Sequence, residues 1–179
     1  LNALVEFYNA TEGVEKTNAS YLIQKGANGK TTLDALLDGR KQVYLLIAAM
    51  ANFLTHEMQS PDGGIYHTYD LTNKAPVKGP RLLKDQVSVI EALVRAGNTV
   101  KAETYKNSAL DIYYFMNNHL WSESQQFYVT TEGGTSIGQL PDIVEALYSV
   151  DAMSDLMSNN SQLQWNKIAS PWLTALKQF

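Results

Sequence analysis

Apolar residues recur three and four positions apart over several long stretches of this chain. From about Leu36 to Met58 the series is Val43, Leu46, Ile47, Met50, Phe53 and Leu54, and Pro61-Asp62-Gly63-Gly64 ends it. From about Leu82 to Ala96 the stripe is Val87, Ile90, Leu93 and Val94, with Gly97 where a C′ glycine belongs. A third helix is predicted from about Ala102 to Leu120, with Leu110, Tyr113, Tyr114, Met116 and Leu120 on its apolar side. A fourth opens at Pro141, a favourable first-turn residue, and runs to about Met157. A fifth spans Gln162 to Phe179 and is predicted to kink at Pro171. Ahead of these, Leu1 to Tyr8 reads as a short helix and Thr11 to Lys30 as a loop rich in turn residues.

The polar turns carry an internal repeat. Phe53-Leu-Thr-His-Glu-Met-Gln-Ser-Pro-Asp-Gly-Gly-Ile-Tyr-His-Thr aligns without gaps on Phe115-Met-Asn-Asn-His-Leu-Trp-Ser-Glu-Ser-Gln-Gln-Phe-Tyr-Val-Thr, at an offset of 62 residues. Glu91-Ala-Leu and Glu145-Ala-Leu follow, one on the helix after each copy. The unit is helix, turn, short extended segment, loop, helix, and the extended pieces are expected near Ile65 to Tyr69 and Phe127 to Thr130, on one rim. Such units bury their faces by stacking on neighbours. A third copy would begin at about position 177, where the chain is about to stop. The expected fold class is therefore mainly α: antiparallel helical hairpins forming part of an α/α toroid, as a single domain over 1–179. Residues 1–32 form its irregular lead-in and 33–179 its hairpins.

Composition narrows the function. The formal charge is −4, with a sequence pI near 5.3, so the chain lacks the basic footprint that nucleic-acid binding needs. It has no cysteine, which removes disulfides and thiolate sites. The longest apolar run, Val43 to Ala51, is too short to span a bilayer. Charged residues make up only 18%. With the sequons Asn9-Ala-Thr, Asn18-Ala-Ser and Asn159-Asn-Ser, the uncharged polar surface tilts the expectation towards an extracytoplasmic setting. A first residue of Leu1 suggests a processed or excised segment. Gly26-Ala-Asn-Gly-Lys-Thr lacks the glycine spacing of a phosphate loop and reads as a turn. No spacing resembles a zinc site, and no cofactor is expected.

Asp62-Gly-Gly-Ile-Tyr-His-Thr-Tyr-Asp70, Gly79-Pro-Arg-Leu-Leu-Lys-Asp-Gln-Val87, His119-Leu-Trp121 and Phe127-Tyr128 resemble the C-terminal domain of the thioredoxin-domain proteins related to spermatogenesis-associated protein 20. The resemblance implies an (α/α) toroid like those of six-hairpin glycosidases and N-acylglucosamine 2-epimerases. The chain has Gln139-Leu140 where that family has Asp-Asn, and it lacks the family's Trp-Asn signature around Arg40 to Tyr44.

On that resemblance, acids at the mouth of a toroid would flank a scissile glycosidic bond. Asp85, in the first turn of a predicted helix beside Gln86, is the leading candidate, with Asp70 and Asp142 to face it. An Asp in a first turn is also simply favoured by the helix dipole. His67 is the one histidine placed to act as an acid or base. Tyr66, Tyr69, Trp121 and Tyr128, with Gln86, are the candidate sugar contacts, because aromatic faces stack on sugar rings; the competing reading places them in the core beneath the loops. Two functions follow. The first is a noncatalytic scaffold or interaction segment, partnered by the rest of a parent chain or by a second copy through the terminal helices and their Trp165, Trp172 and Leu176. The second is a carbohydrate-active or carbohydrate-binding toroid.

Overall fold

The computed structural model describes residues 1–13, 25–27, 29–125 and 127–136. The expected helices at Pro141 to Met157 and Gln162 to Phe179 lie outside the described residues, as do Asp142, Trp165, Trp172 and Leu176. Among the described residues the protein is mainly helical: α1 (Asn2–Ala10), α2 (Thr32–Phe53), α3 (Leu83–Val100) and α4 (Glu103–His119), with two small antiparallel ribbons. None of these helices is long and apolar enough to cross a membrane.

α2 begins earlier than its apolar series, because Thr31 supplies a capping box. Its hydroxyl accepts from the Asp34 backbone N–H at 3.0 Å, and the Asp34 carboxylate accepts from the Thr31 N–H at 2.8 Å. Ahead of it, Lys25 pairs with Thr31 across the predicted turn, and Gly29 takes a positive φ. The far end of α2 widens into a π-helical turn, Leu54–Met58. Only Ile47 and Ala51 of α2 are fully buried, whereas Leu45, Leu46, Met50 and Phe53 are exposed. The apolar series of α2 is thus two opposed faces, not one stripe.

α3 keeps its predicted stripe, with Val87, Ile90, Leu93 and Val94 all buried, and it packs on α1, α2 and α4. Its end corrects the sequence reading. Gly97 is inside the helix, which stops at Lys101 in the left-handed conformation (φ 59°). The glycine serves packing: a Cβ there would lie 2.8 Å from the Lys106 side chain and 3.0 Å from the Ala102 carbonyl. α4 returns antiparallel along α3, and the Tyr105 hydroxyl donates to Asn52 Oδ1 at 2.8 Å, tying α4 to α2. Ile47, Leu83, Ile90, Leu93, Ile112, Phe115 and Met116 form the innermost core.

The extended segments are shorter than expected and each has a partner. β1 (Thr68–Asp70) pairs with β2 (Ala75–Val77), and β3 (Trp121–Ser122) pairs with β4 (Phe127–Tyr128). The repeat is real in geometry, but its gapless alignment slips by one residue. The Met58 carbonyl accepts from the Tyr66 N–H, while the equivalent Leu120 carbonyl accepts from Val129. Likewise Gln59 bridges to Ile65, and Trp121 pairs with Tyr128. The second turn holds one extra residue, so Tyr128 stands where Ile65 stands, and both are buried.

The first turn is pressed onto α4. Gly63 has φ +96°, and a Cβ on it would sit 2.6 Å from the Asp111 carbonyl oxygen. Gly64 lies under the Phe115 ring, where a Cβ would come within 2.9 Å. Replacing Gly63 by Ala adds both strain and a clash. It is expected to lower stability by roughly 2–3 kcal/mol in urea unfolding, with little change in the slope of the transition.

Candidate functional site

The two repeat turns meet at one buried side chain. Arg81 is 9% exposed. Its Nε and Nη2 donate to the two oxygens of Glu132 at 2.8 and 2.6 Å, a bidentate pair. Its Nη1 donates to the Ser60 hydroxyl at 2.8 Å and to the Asp62 carboxylate. The guanidinium also lies 4.2 Å from the Phe115 ring centre, a ring on which His119 stacks at 4.6 Å. Ser60 and Asp62 belong to the first turn and Glu132 follows the second, so one cation brings both to the same rim. Leu82 bridges to Thr131 beside it.

The charges answer this arrangement. Partial burial pushes the Asp62 carboxyl up, but hydrogen bonds from Arg81 and Ser60 and the charge of Arg81 outweigh it, holding the pKa at about 2. Glu132 is lowered chiefly by its hydrogen bonds from Arg81. Arg81 itself is raised, first by Glu132.

Gln86 is fully buried, and its amide is committed to the backbone. Its Oε1 accepts from the Ile65 N–H at 2.7 Å, and its Nε2 donates to the Ile65 and Leu82 carbonyls at 2.9 and 3.1 Å. The side chain stands in for a neighbouring strand. Tyr128 is likewise withdrawn, with 0% exposure and its hydroxyl donating to Asn117. Burial pushes its phenol pKa far up. Asp70 caps the β1–β2 turn, accepting from the backbone N–H groups of Thr72 and Asn73 and from the Asn73 amide, which lower its pKa. Both of its oxygens are directed to its own turn. Trp121 is half-buried, edge-on to Tyr128 at 4.8 Å. Tyr66 is half-buried near Arg81, and Tyr69 is edge-on to Phe53 at 4.9 Å, with its phenol raised first by desolvation.

One candidate pair does form. His67 Nδ1 lies 2.8 Å from Asp85 Oδ2, with the His67 side chain 53% exposed and the Asp85 side chain 22%. Asp85 sits in the first turn of α3, where a carboxylate is also favoured by the helix dipole. Among the described residues no group of three or more metal-ligating side chains is close enough to hold a metal ion.

The apolar side of the molecule offers a different kind of site. A groove of about 680 Å³ runs between the start of α1, α2 and α3, lined by Leu1, Ala49, Met50, Phe53, Leu54 and Val89 among others, with no charged residue in its lining. Asn2 Oδ1 is buried at this groove without a hydrogen-bond partner among the described residues. Sequence reasoning passed over both this face and Arg81. The signal for the first was an apolar series too wide for one stripe. The Arg81–Glu132 pair is 51 residues apart and leaves no local trace.

Comparison with family models, curated proteins and solved structures finds no significant match to this chain.

The Arg81 cluster makes stability depend on acid. Both carboxyls are held below their ordinary values of 3.8 and 4.5 in the fold. Their contribution is therefore complete above those values and is lost as pH falls through about 2, the folded value of Asp62. The melting temperature is expected to drop across that window. Arg81→Ala is expected to cost roughly 2–4 kcal/mol near neutral pH and to flatten the acid dependence, which thermal melts at stepped pH would read.

Proposed function

We propose that this chain is a noncatalytic scaffold and interaction segment, built of helical hairpins of the kind that stack into an α/α toroid, and that α2 is its working surface. The single observation behind this reading is that α2 carries apolar residues on the side away from its core. Leu45 is 52% exposed, Leu46 47% and Phe53 39%, while Ile47 and Ala51 on the opposite side are fully buried. From Val43 to Phe53 the helix carries apolar residues on more than one side, the pattern of a helix covered on both. The partner that suits this face is another helix with an apolar stripe, because the adjoining groove has no charged residue in its lining. The loss of Gln86, Tyr128 and Asp70 to structural duties points the same way. The resemblance to the toroid domain of the thioredoxin-domain proteins supports the stacking arrangement.

The test is a double variant, Leu46→Glu with Phe53→Glu. On this reading apolar-dye fluorescence falls sharply, and the melting temperature moves by less than about 3 °C, because a core loss of 1 kcal/mol already shifts a chain of this size by roughly 2–4 °C. A collapse of the melting temperature, or unchanged dye binding, would refute it.

A second reading, a carbohydrate-active toroid, has the His67–Asp85 pair in its favour. In it Asp85 orients the ring and the free nitrogen of His67 exchanges a proton with a sugar. Activity on glycosides or on acylated amino sugars, abolished by both His67→Gln and Asp85→Asn with melting temperature retained, is its expected result. A wild-type chain inert towards both substrate classes would remove it.

A further inference from the structure

We propose that Asp62 is a conditional site of backbone isomerisation: it converts to isoaspartate when the Arg81 cluster opens and is held as aspartate while the cluster is closed. Asp62 is followed by Gly63, and a glycine, having no side chain, leaves the main-chain nitrogen after an aspartate open to approach. In an unrestrained Asp-Gly pair that nitrogen attacks the side-chain carboxyl carbon. An N–C bond forms, the C–OH bond of the protonated carboxyl breaks, and water leaves with the amide hydrogen, closing a succinimide ring. Water then reopens the ring at the main-chain carbonyl, and the chain afterwards runs through the former side chain. No oxidant or cofactor is needed, and the mass is unchanged.

The folded turn restrains both reacting groups. The Gly63 N–H donates to the Ser60 carbonyl at 2.9 Å, so the nucleophile is engaged. The Asp62 carboxylate accepts from Arg81 Nη1, from the Ser60 hydroxyl and from the Gly64 backbone N–H. These donors favour the ionised group, which has no hydroxyl to release as water. Gly63 is also pressed on α4, where a Cβ would stand 2.6 Å from the Asp111 carbonyl oxygen. Ring closure therefore needs the turn to leave Arg81 and α4 together. The change is one-way for the fold. Isoaspartate adds a carbon to the main chain and shortens the arm that bears the carboxylate, so the turn cannot resume its contacts with Arg81.

The chain contains its own control. Asp38-Gly39 is the other Asp-Gly pair. It lies inside α2, where Asp38 meets Lys30 at 2.8 Å and the helical backbone restrains the pair. Its rate is independent of Arg81.

Site-resolved peptide mass spectrometry with electron-transfer fragmentation tests the proposal on the full chain, incubated folded at mildly acidic pH and, in parallel, unfolded in urea. Site resolution is needed because Asn28-Gly29 gives the same product by loss of ammonia. In urea both Asp-Gly pairs are expected to isomerise at similar rates, and in the folded wild type both are expected to be much slower. In folded Arg81→Gln, Asp62 is expected to isomerise about ten-fold faster than in the wild type or more. A hydrogen bond to a charged group contributes more than the roughly 1.4 kcal/mol that a factor of ten represents. Ser60→Ala removes a weaker donor and keeps the carbonyl that holds Gly63. It is expected to move Asp62 in the same direction by less, and it carries the test if Arg81→Gln does not fold. Asp38 is expected to be unchanged in both variants. A folded wild type that isomerises at Asp62 as fast as in urea overturns the proposal. So does an Asp62 rate indifferent to the folded variants, or an equal acceleration at Asp38.

Discussion

The buried guanidinium of Arg81 is the constraint on which the rim of this molecule depends. A cation that is nine-tenths withdrawn from water is tolerated only when its donors are met and its charge is balanced. Here Glu132 takes two of its N–H groups, Ser60 and Asp62 share Nη1, and the Phe115 face covers the plane. These partners come from three stretches of chain: the first turn, α4 and the segment after β4. Satisfying one side chain therefore determines how the first turn, the segment before α3 and the segment after β4 sit together. The close approach of Gly63 and Gly64 to α4 belongs to the same constraint, since Asp62 reaches Arg81 only if the turn lies flat on that helix.

Below the rim, the fold is carried by α3. It contacts each of the other three helices, and its stripe Leu83, Val87, Ile90, Leu93 and Val94 is buried in the shared core. Gln86 extends this control to the loop above it. Ile65 has a bridge to Gln59 on one side, and the amide of Gln86 supplies the donor and acceptor that another strand would offer on the other. A buried primary amide serves well in this position because it carries both a donor and an acceptor and no net charge.

How much of this was legible varied with the kind of physics involved. The α3 stripe and the start of α4 could be read directly, because a helix with one buried face leaves a narrow periodic signal. α2 could not be oriented in the same way. Its apolar residues lie on both sides, and periodicity reports apolarity without saying which side a neighbour covers. The repeat was visible, yet its register was misjudged by one residue, since sequence identity in the turns cannot show which carbonyl each amide meets. The burial of Gln86 and Tyr128, both candidate ligand contacts in the sequence, was not legible for a related reason. A polar or aromatic residue beside a loop looks the same in sequence whether it faces solvent or satisfies a buried amide. His67 and Asp85, 18 residues apart and flanking one ribbon, meet in the structure, a pairing the sequence reading did not make, since it set Asp70 and Asp142 opposite Asp85. Asp70 was diverted because Thr72 and Asn73 offer it nearer donors.

The small ribbon beside that pair has a bearing on how this protein meets others. Pro76 stands opposite Tyr69 at the centre of β2. A proline has no amide hydrogen to give, so its ring nitrogen takes the outward side of the strand, and the outer margin of the ribbon is missing a donor at its midpoint. An incoming strand would find its ladder broken there, and cross-β growth along that margin is discouraged. One margin of this ribbon is thus closed to strand recruitment by a single residue.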